Sequence, residues 1–387
     1  MDKGTGRAVK MRLPRAPLED WLRDYYFTTS ADISCSGTEA FSFSELRELL
    51  GIEVSDLDSV VFRDSASYGM PALRAAIAQR WGDGDARRVM ATNGSSEALF
   101  LVMMALLTPG DEIVAVEPAY HSLVSIADGI GCRIVPWSLE FERGFEPDLD
   151  RLRSLLSPAT RMLVVNFPHN PTGTTVDADT QRAIIELAES HGCYVVWDSV
   201  FAELTYDAPP LPDASLLGEQ VITFGSLSKS YGLPGLRVGW CFGPPEVLAQ
   251  CMILRDYTTL ALSPLIELVA LRAIEGGDRL LHPRITQARR NLDLLSEWVL
   301  QNEGRVEWVR PRGGVTAFPR FPDVTDMNAF CHRLMDEHGT LLVPGTCFNR
   351  PEHVRLGFGG PTEELQRGLS AVSQLLASIR PAYQARP

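Results

Sequence analysis

Lys229 lies in the run Ser226-Leu227-Ser228-Lys229-Ser230-Tyr231-Gly232-Leu233-Pro234-Gly235-Leu236-Arg237. A lysine amine that loses its proton is a nucleophile and joins aldehydes as an imine. Two hydroxyl side chains precede this lysine, and a glycine-rich turn and an arginine follow it, which are groups that suit an anion. Upstream, Asp198 closes the apolar run Cys193-Tyr194-Val195-Val196-Trp197. A carboxylate at the end of a strand can keep a pyridine nitrogen protonated. On its own, a lysine in a serine-rich turn would read as a solvated surface residue. With Asp198 it reads as a pyridoxal phosphate site, where Lys229 joins the cofactor aldehyde and Asp198 faces the ring nitrogen.

The remaining groups of that cofactor each need a partner. The phosphate suits the start of a helix, and Gly94-Ser95-Ser96-Glu97-Ala98 opens one after a short apolar run. Ser226 and Ser228 add hydroxyls, and Arg237 adds a fixed positive charge. Ser95 alone would be an ordinary helix N-cap, and Arg237 alone a surface arginine. Asn170, inside Asn166-Phe167-Pro168-His169-Asn170-Pro171-Thr172-Gly173, can donate to the phenolic oxygen. Tyr120 offers a flat face for the ring, or is a core tyrosine. Arg355, within the apolar stretch Val354-Arg355-Leu356-Gly357-Phe358, suits the carboxylate of an amino acid substrate.

Elements must hold these residues in place. Strands are predicted at 112–116, 133–136, 162–166, 194–197, 221–225 and 238–242. Helices are predicted at 18–27, 70–81, 95–107 and 181–191, with 32–37 extended. Strands alternating with helices imply an α/β fold whose mainly parallel sheet is sandwiched by helices. Beyond it come helices at 264–275 and 286–303. Strands at 317–321 and 341–343 with helices at 328–338 and 363–377 then suggest a smaller α/β C-terminal domain. The expected division is a basic arm and N-terminal segment at 1–45, a large cofactor-binding domain at 46–280 and a small domain at 281–387.

Composition narrows the class. Of 387 residues, 45% are hydrophobic and 22% charged, which is ordinary for a globular enzyme. A net charge of −13 argues against nucleic acid or an anionic membrane as a partner. The seven cysteines are scattered with no CxxC pair, so no metal site or disulfide framework is expected. The basic residues Lys3, Arg7, Lys10, Arg12 and Arg15 precede no apolar export segment, and no stretch is apolar enough to span a bilayer. A cytoplasmic location is expected.

Taken together, Asn170-Pro171-Thr172-Gly173, Asp198, Ser226-Leu227-Ser228-Lys229, Arg237 and Arg355 resemble the fold-type I pyridoxal phosphate enzymes of the class I/II aminotransferase group. The resemblance covers nearly the whole chain. It implies a homodimer with shared active sites, in which Tyr68 reaches the other subunit's phosphate and Gly37 approaches the substrate carboxylate. One position departs from the group: the tyrosine usually found three residues after the aspartate is Phe201 here. The cofactor's phenolate thereby loses a donor, which puts ordinary transamination in question.

A finer resemblance is to the capreomycidine synthase subgroup and its streptothricin-pathway relatives. It rests on Ala16 to Arg23, Asn166 to Pro171, Tyr231 to Cys241, Arg255-Asp256-Tyr257 and Pro311 to Phe321, several of which generic cofactor binding does not need. It implies dehydrative cyclisation of a hydroxylated arginine in antibiotic biosynthesis, with Lys229 moving the α-proton. The substrate guanidinium then needs an acidic or carbonyl partner, and Glu39 and Asp256 are the expected ones. The alternative is an aminotransferase that uses an L-amino acid and a 2-oxo acid. A cofactor-binding regulatory domain is disfavoured, since no basic helix-turn-helix precedes residue 30.

Overall fold

The computed structural model describes residues 12–379, so Lys3, Arg7 and Lys10 of the expected basic arm lie outside the described residues. Its main sheet is built from β1 (Val89–Thr92), β2 (Glu112–Glu117), β3 (Arg133–Ser138), β4 (Thr160–Asn166), β5 (Tyr194–Asp198), β6 (Val221–Ser226) and β7 (Gly239–Phe242). The spatial order is β1-β7-β6-β5-β4-β2-β3. All pairings are parallel except the two that β7 makes, with β1 and with β6. Side chains alternate between faces as a pleat requires. Ile113 and Ala115 of β2 pack under the helices Ser95–Leu106, Ser122–Ile130 and Pro245–Arg255. Val114 and Val116 face a separate core with Trp137, Leu152, Ile184 and Trp197. Both faces are therefore dry, and the central strands carry almost no polar residue until their ends.

Those ends set the site. In register, Asn166 of β4 lies opposite Asp198 of β5, and Ser226 of β6 lies opposite Gly239 of β7, which also pairs with Thr92 of β1. The polar ends of four strands therefore meet at one edge, where ligands of open α/β sheets bind.

A second core gathers Ala288, Leu292, Leu295, Phe321, Phe330, Leu334, Leu356 and Leu376. The N-terminal segment joins it. Residues 31–32 pair in parallel with 340–341, and the indole of Trp21 donates to the Leu342 carbonyl at 2.8 Å. Trp21 belongs to α1 (Pro17–Tyr25), which starts on a proline whose missing N–H costs a first-turn position nothing.

Three sequence expectations change. The helix expected from 286 begins at Gly277 and runs to Gln301, passing through Pro283 near its start, where the ring disturbs only the opening turns. The residue 280/281 boundary thus falls inside one continuous helix. The strand expected at 317–321 shrinks to Thr316–Ala317, since Pro319 has no N–H for a ladder. Val89–Thr92 and Val354–Gly357, not expected as strands, are both fully buried; four apolar or mixed residues carry no period that marks a strand.

Candidate active site

A cavity of about 370 Å³ opens at the strand ends, lined by Ser95, Ser96, Tyr120, Asn170, Asp198, Ser226, Ser228, Lys229 and Arg237. The fold therefore brings together nine of the expected site residues from five separate strand–loop junctions. Glu19, Ser36, Asn166, Val200, Phe201 and Pro234 complete the lining.

Lys229 leaves the turn after β6 and donates from Nζ to the Ser36 hydroxyl at 2.9 Å. Burial holds its pKa below that of an ordinary lysine; Cys35, Glu19 and Asp198 oppose the shift and Arg355 adds to it. An amine so placed sheds its proton more readily than one in water. Gly37 lies against it: a Cβ there would stand 3.8 Å from Lys229 Cδ and 3.4 Å from the Ser228 carbonyl.

Asp198 sits at the end of β5. Its Oδ1 accepts from the Val200 N–H at 3.1 Å, and its carbonyl accepts from Asn166 Nδ2 at 3.0 Å. Burial raises its pKa to about 6, against the pull of the Val200 N–H and of Lys229. A carboxylate with so little compensation suits a cationic partner delivered from the cavity.

The anion end is built from close backbone approaches. Gly94, not a serine, caps the helix Ser95–Leu106, which corrects the N-cap reading of Ser95 and leaves both hydroxyls free of that duty. Gly94 has φ +79°, and a Cβ there would come within 2.6 Å of Arg237 Nη2. Arg237 itself has φ +56° and donates from Nη1 to the Pro234 carbonyl at 3.1 Å. The Ser226 hydroxyl accepts from the Ser228 N–H at 3.1 Å. A helix start, the four serine hydroxyls of Ser95, Ser96, Ser226 and Ser228 and a guanidinium thus face one pocket, a fit for a phosphate dianion.

On the β4 side, the Asn170 N–H donates to Asn166 Oδ1 at 2.9 Å, and Asn170 Oδ1 accepts from Arg355 Nη1 at 3.4 Å. Its amide hydrogens have no partner in the chain among the described residues. His169 pins this turn by pairing with Thr172 Oγ1 and with the Pro118 carbonyl, each at 2.8 Å. Arg355 is buried behind Asn170 and is not part of the lining. Its Nη2 donates to the Ser34 carbonyl at 2.8 Å, while its Nε is buried without a partner. Lysine, aspartate, anion cup and unpaired arginine together fit pyridoxal phosphate and an amino acid carboxylate, in a volume suited to both.

Some expected residues fall elsewhere. Tyr68 does not line the cavity of its own chain; its ring lies 5.3 Å from the Arg74 guanidinium. Glu39 is also outside the lining, bonded to Gln287 Nε2 at 2.7 Å and facing Arg284. Asp256 is exposed at the end of the helix Pro245–Arg255. Sequence reasoning missed Glu19 and Ser36 as site residues. Both come from the N-terminal segment, and no local pattern marks them, since their role depends on where α1 docks.

Comparisons with known proteins give the family. Residues 59–372 match the model of the aminotransferase class I and II family. The chain is 48% identical over 370 residues to capreomycidine synthase of Streptomyces vinaceus, covering 95% of each. It is 33% identical over 334 residues to the arginine–pyruvate transaminase AruH of Pseudomonas aeruginosa, covering 80% of this chain and 81% of that one. The structure of the PLP-dependent cyclase OrfR superposes with a TM-score of 0.90 at 42% identity, covering 95% of this chain and 98% of the other. On the family match, supported by the lysine–aspartate site at the strand ends, the chain belongs to the class I and II aminotransferase family, and its cofactor is pyridoxal 5′-phosphate.

Proposed function

We propose that this enzyme cyclises a hydroxylated arginine, 3-hydroxyarginine or a dihydroxyarginine, to a capreomycidine-type amino acid in antibiotic biosynthesis. The observation that carries the reading is the 48% identity to capreomycidine synthase across 95% of both chains. When bound, pyridoxal phosphate supplies an electron sink for charge that develops at the substrate α-carbon. Arg355, bonded to Asn170 of the cavity lining, holds the α-carboxylate, with Gly37 leaving room beside Lys229. Lys229 Nζ takes the α-proton and later returns it. Asp198 supplies the negative charge opposite the ring nitrogen. Between those two proton transfers the β-carbon–oxygen bond breaks and the hydroxyl leaves with a proton as water, while a guanidino nitrogen of the same substrate bonds to that carbon and gives up one proton, so the net change is the loss of one water. The nucleophile is tethered, so the fold need only bend the side chain back and exclude water.

A homodimer is part of this reading. Val61 and Phe62, shortly before Tyr68, leave large apolar side chains exposed. So do Tyr257 and Leu260, just beyond Arg255, whose guanidinium bonds the Ser67 carbonyl at 2.6 Å. Such a surface suits a second copy, with each Tyr68 serving the other's phosphate. The described helices include none long and apolar enough to cross a membrane, which is compatible with the proposed cytoplasmic setting.

The test is incubation of the purified, cofactor-loaded protein with 3-hydroxyarginine and no 2-oxo acid, read by mass spectrometry. A product lighter by one water that keeps its α-amine supports the cyclase. AruH, an arginine–pyruvate transaminase, favours a second reading as an aminotransferase. Amine transfer to an added 2-oxo acid, with no dehydrated product, would replace the first reading by the second.

A further inference from the structure

The cavity holds a second carboxylate, brought by α1 from outside the sheet. Glu19 lies in the first turn of α1 and lines the same cavity as Lys229 and Asp198. The Tyr120 hydroxyl donates to its Oε1 at 2.9 Å, which fixes one oxygen and leaves most acceptor sites of the group open. Among the described residues Glu19 forms no ion pair. The two arginines closest to it in sequence, Arg15 and Arg23, both pair with Asp20 at 2.8 Å instead. Lys229 and Arg237 line the same cavity but neither is within ion-pair distance of Glu19, so its carboxylate can still take a cation from a ligand.

The other acidic groups are already committed or remote. Asp198 would serve the cofactor's ring nitrogen. Glu39 is held by Gln287 and Arg284, and Asp256 lies outside this chain's own cavity, on the exposed face with Tyr257 and Leu260. Arg355, bonded to Asn170, offers donors to an anion, and Glu19, bonded to Tyr120, offers acceptors to a cation. An amino acid with a carboxylate at one end and a cationic side chain at the other satisfies both. A carboxylate also matches the planar fork of a guanidinium.

We propose that Glu19, set in place by the Tyr120 hydroxyl, binds the guanidinium of the substrate and makes the site select a cationic side chain over a neutral one of the same shape. This assignment rests on the arginine-derived substrate class proposed above. Within this chain's own cavity it takes the role expected of Glu39 and Asp256, neither of which lines it.

The experiment titrates L-arginine and L-citrulline into cofactor-loaded wild type, Glu19→Gln and Glu19→Asp, following the cofactor's visible absorbance. Citrulline replaces the guanidinium by a neutral ureido group of nearly equal shape. Wild type is expected to bind arginine more tightly. Glu19→Gln should weaken arginine about 10- to 100-fold and citrulline no more than about twofold, with the cofactor retained. Glu19→Asp should give an intermediate ratio, and it decides the matter if the glutamine variant fails to fold. An arginine-to-citrulline ratio unchanged in a folded variant, or absent from wild type, overturns the assignment. The two proposals separate cleanly. Wild type that prefers arginine but leaves 3-hydroxyarginine unconverted defeats the cyclase and keeps Glu19. Wild type that converts it, with an unchanged ratio in Glu19→Gln, defeats Glu19 alone.

Discussion

Asp198 shows how a single residue can be a liability until its partner arrives. Its pKa of about 6 lies above the ordinary 3.8 because burial disfavours the charged form. A raised carboxyl pKa stabilises the folded state fully below about 3.8, and that contribution is lost as pH rises through about 6. At pH 8 the cofactor-free protein therefore carries a costly charge that a protonated ring nitrogen would offset. Asp198→Asn should leave the cofactor-free melting temperature at pH 8 equal or higher. The same variant should lower cofactor affinity about 100-fold or more, since breaking a buried ion pair costs about 3–5 kcal/mol. Equal loss of stability with and without cofactor would make Asp198 a structural cap instead.

His169 works in the opposite direction. Pro118's carbonyl can only accept, so Nε2 carries the proton and Nδ1 accepts from Thr172. Burial pushes its pKa down to about 4. A depressed histidine pKa gives stability that is whole above about 6.5 and lost as pH falls toward 4. Between pH 7 and 5 the wild type should lose roughly 2 kcal/mol more than His169→Gln in urea unfolding. Parallel curves for the two proteins would contradict the assignment.

At the scale of elements, the anion cup depends on how closely a helix start meets a strand. A Cβ on Gly239 would stand 2.4 Å from the Ser95 N–H nitrogen and 2.6 Å from the Gly94 carbonyl carbon, both backbone atoms that cannot swing away. Gly239→Ala must therefore push the helix Ser95–Leu106 off β7, at about 1–3 kcal/mol of overpacking. Gly94→Ala meets the end of a side chain instead, but at φ +79° it adds backbone strain of about 1–2 kcal/mol. Both variants should weaken inorganic phosphate or cofactor binding, measured by equilibrium dialysis, and Gly239→Ala should lose more unfolding free energy. Full phosphate affinity in Gly239→Ala would show that the cup does not need this contact. The runs Ser226 to Arg237 and Asn166 to Gly173 were recognisable as turns with chemistry in them. The closeness of Gly94 to Arg237 was not, because those residues lie far apart in the chain.

For the whole molecule, the proposed dimer gives a test that no single-chain account passes. Lys229→Ala removes the base and Tyr68→Phe removes the hydroxyl offered to the neighbouring phosphate, so each alone should be nearly inactive. In an equal mixture refolded together, half the dimers are hybrids with one intact site of two, so about a quarter of wild-type turnover should return. A mixture as inactive as its parts would place Tyr68 outside the partner's site, or the chain outside a shared-site dimer.

Local chemistry was readable in the order of residues: an amine, a carboxylate after an apolar strand, hydroxyls before a glycine turn and an arginine inside an apolar stretch. These follow from short windows, where strand burial and turn preferences dominate, and the strand ends then line up because parallel sheets place their carboxyl edges together. Folding in space decided what no window contains. It put Glu19 and Ser36 beside Lys229 by docking α1 and the following segment, and it tied up Glu39 with Arg284 and left Asp256 on the outside. The reason is physical: which surface a short amphipathic helix covers depends on complementary packing with residues more than three hundred positions away, as Trp21 and Leu342 are here.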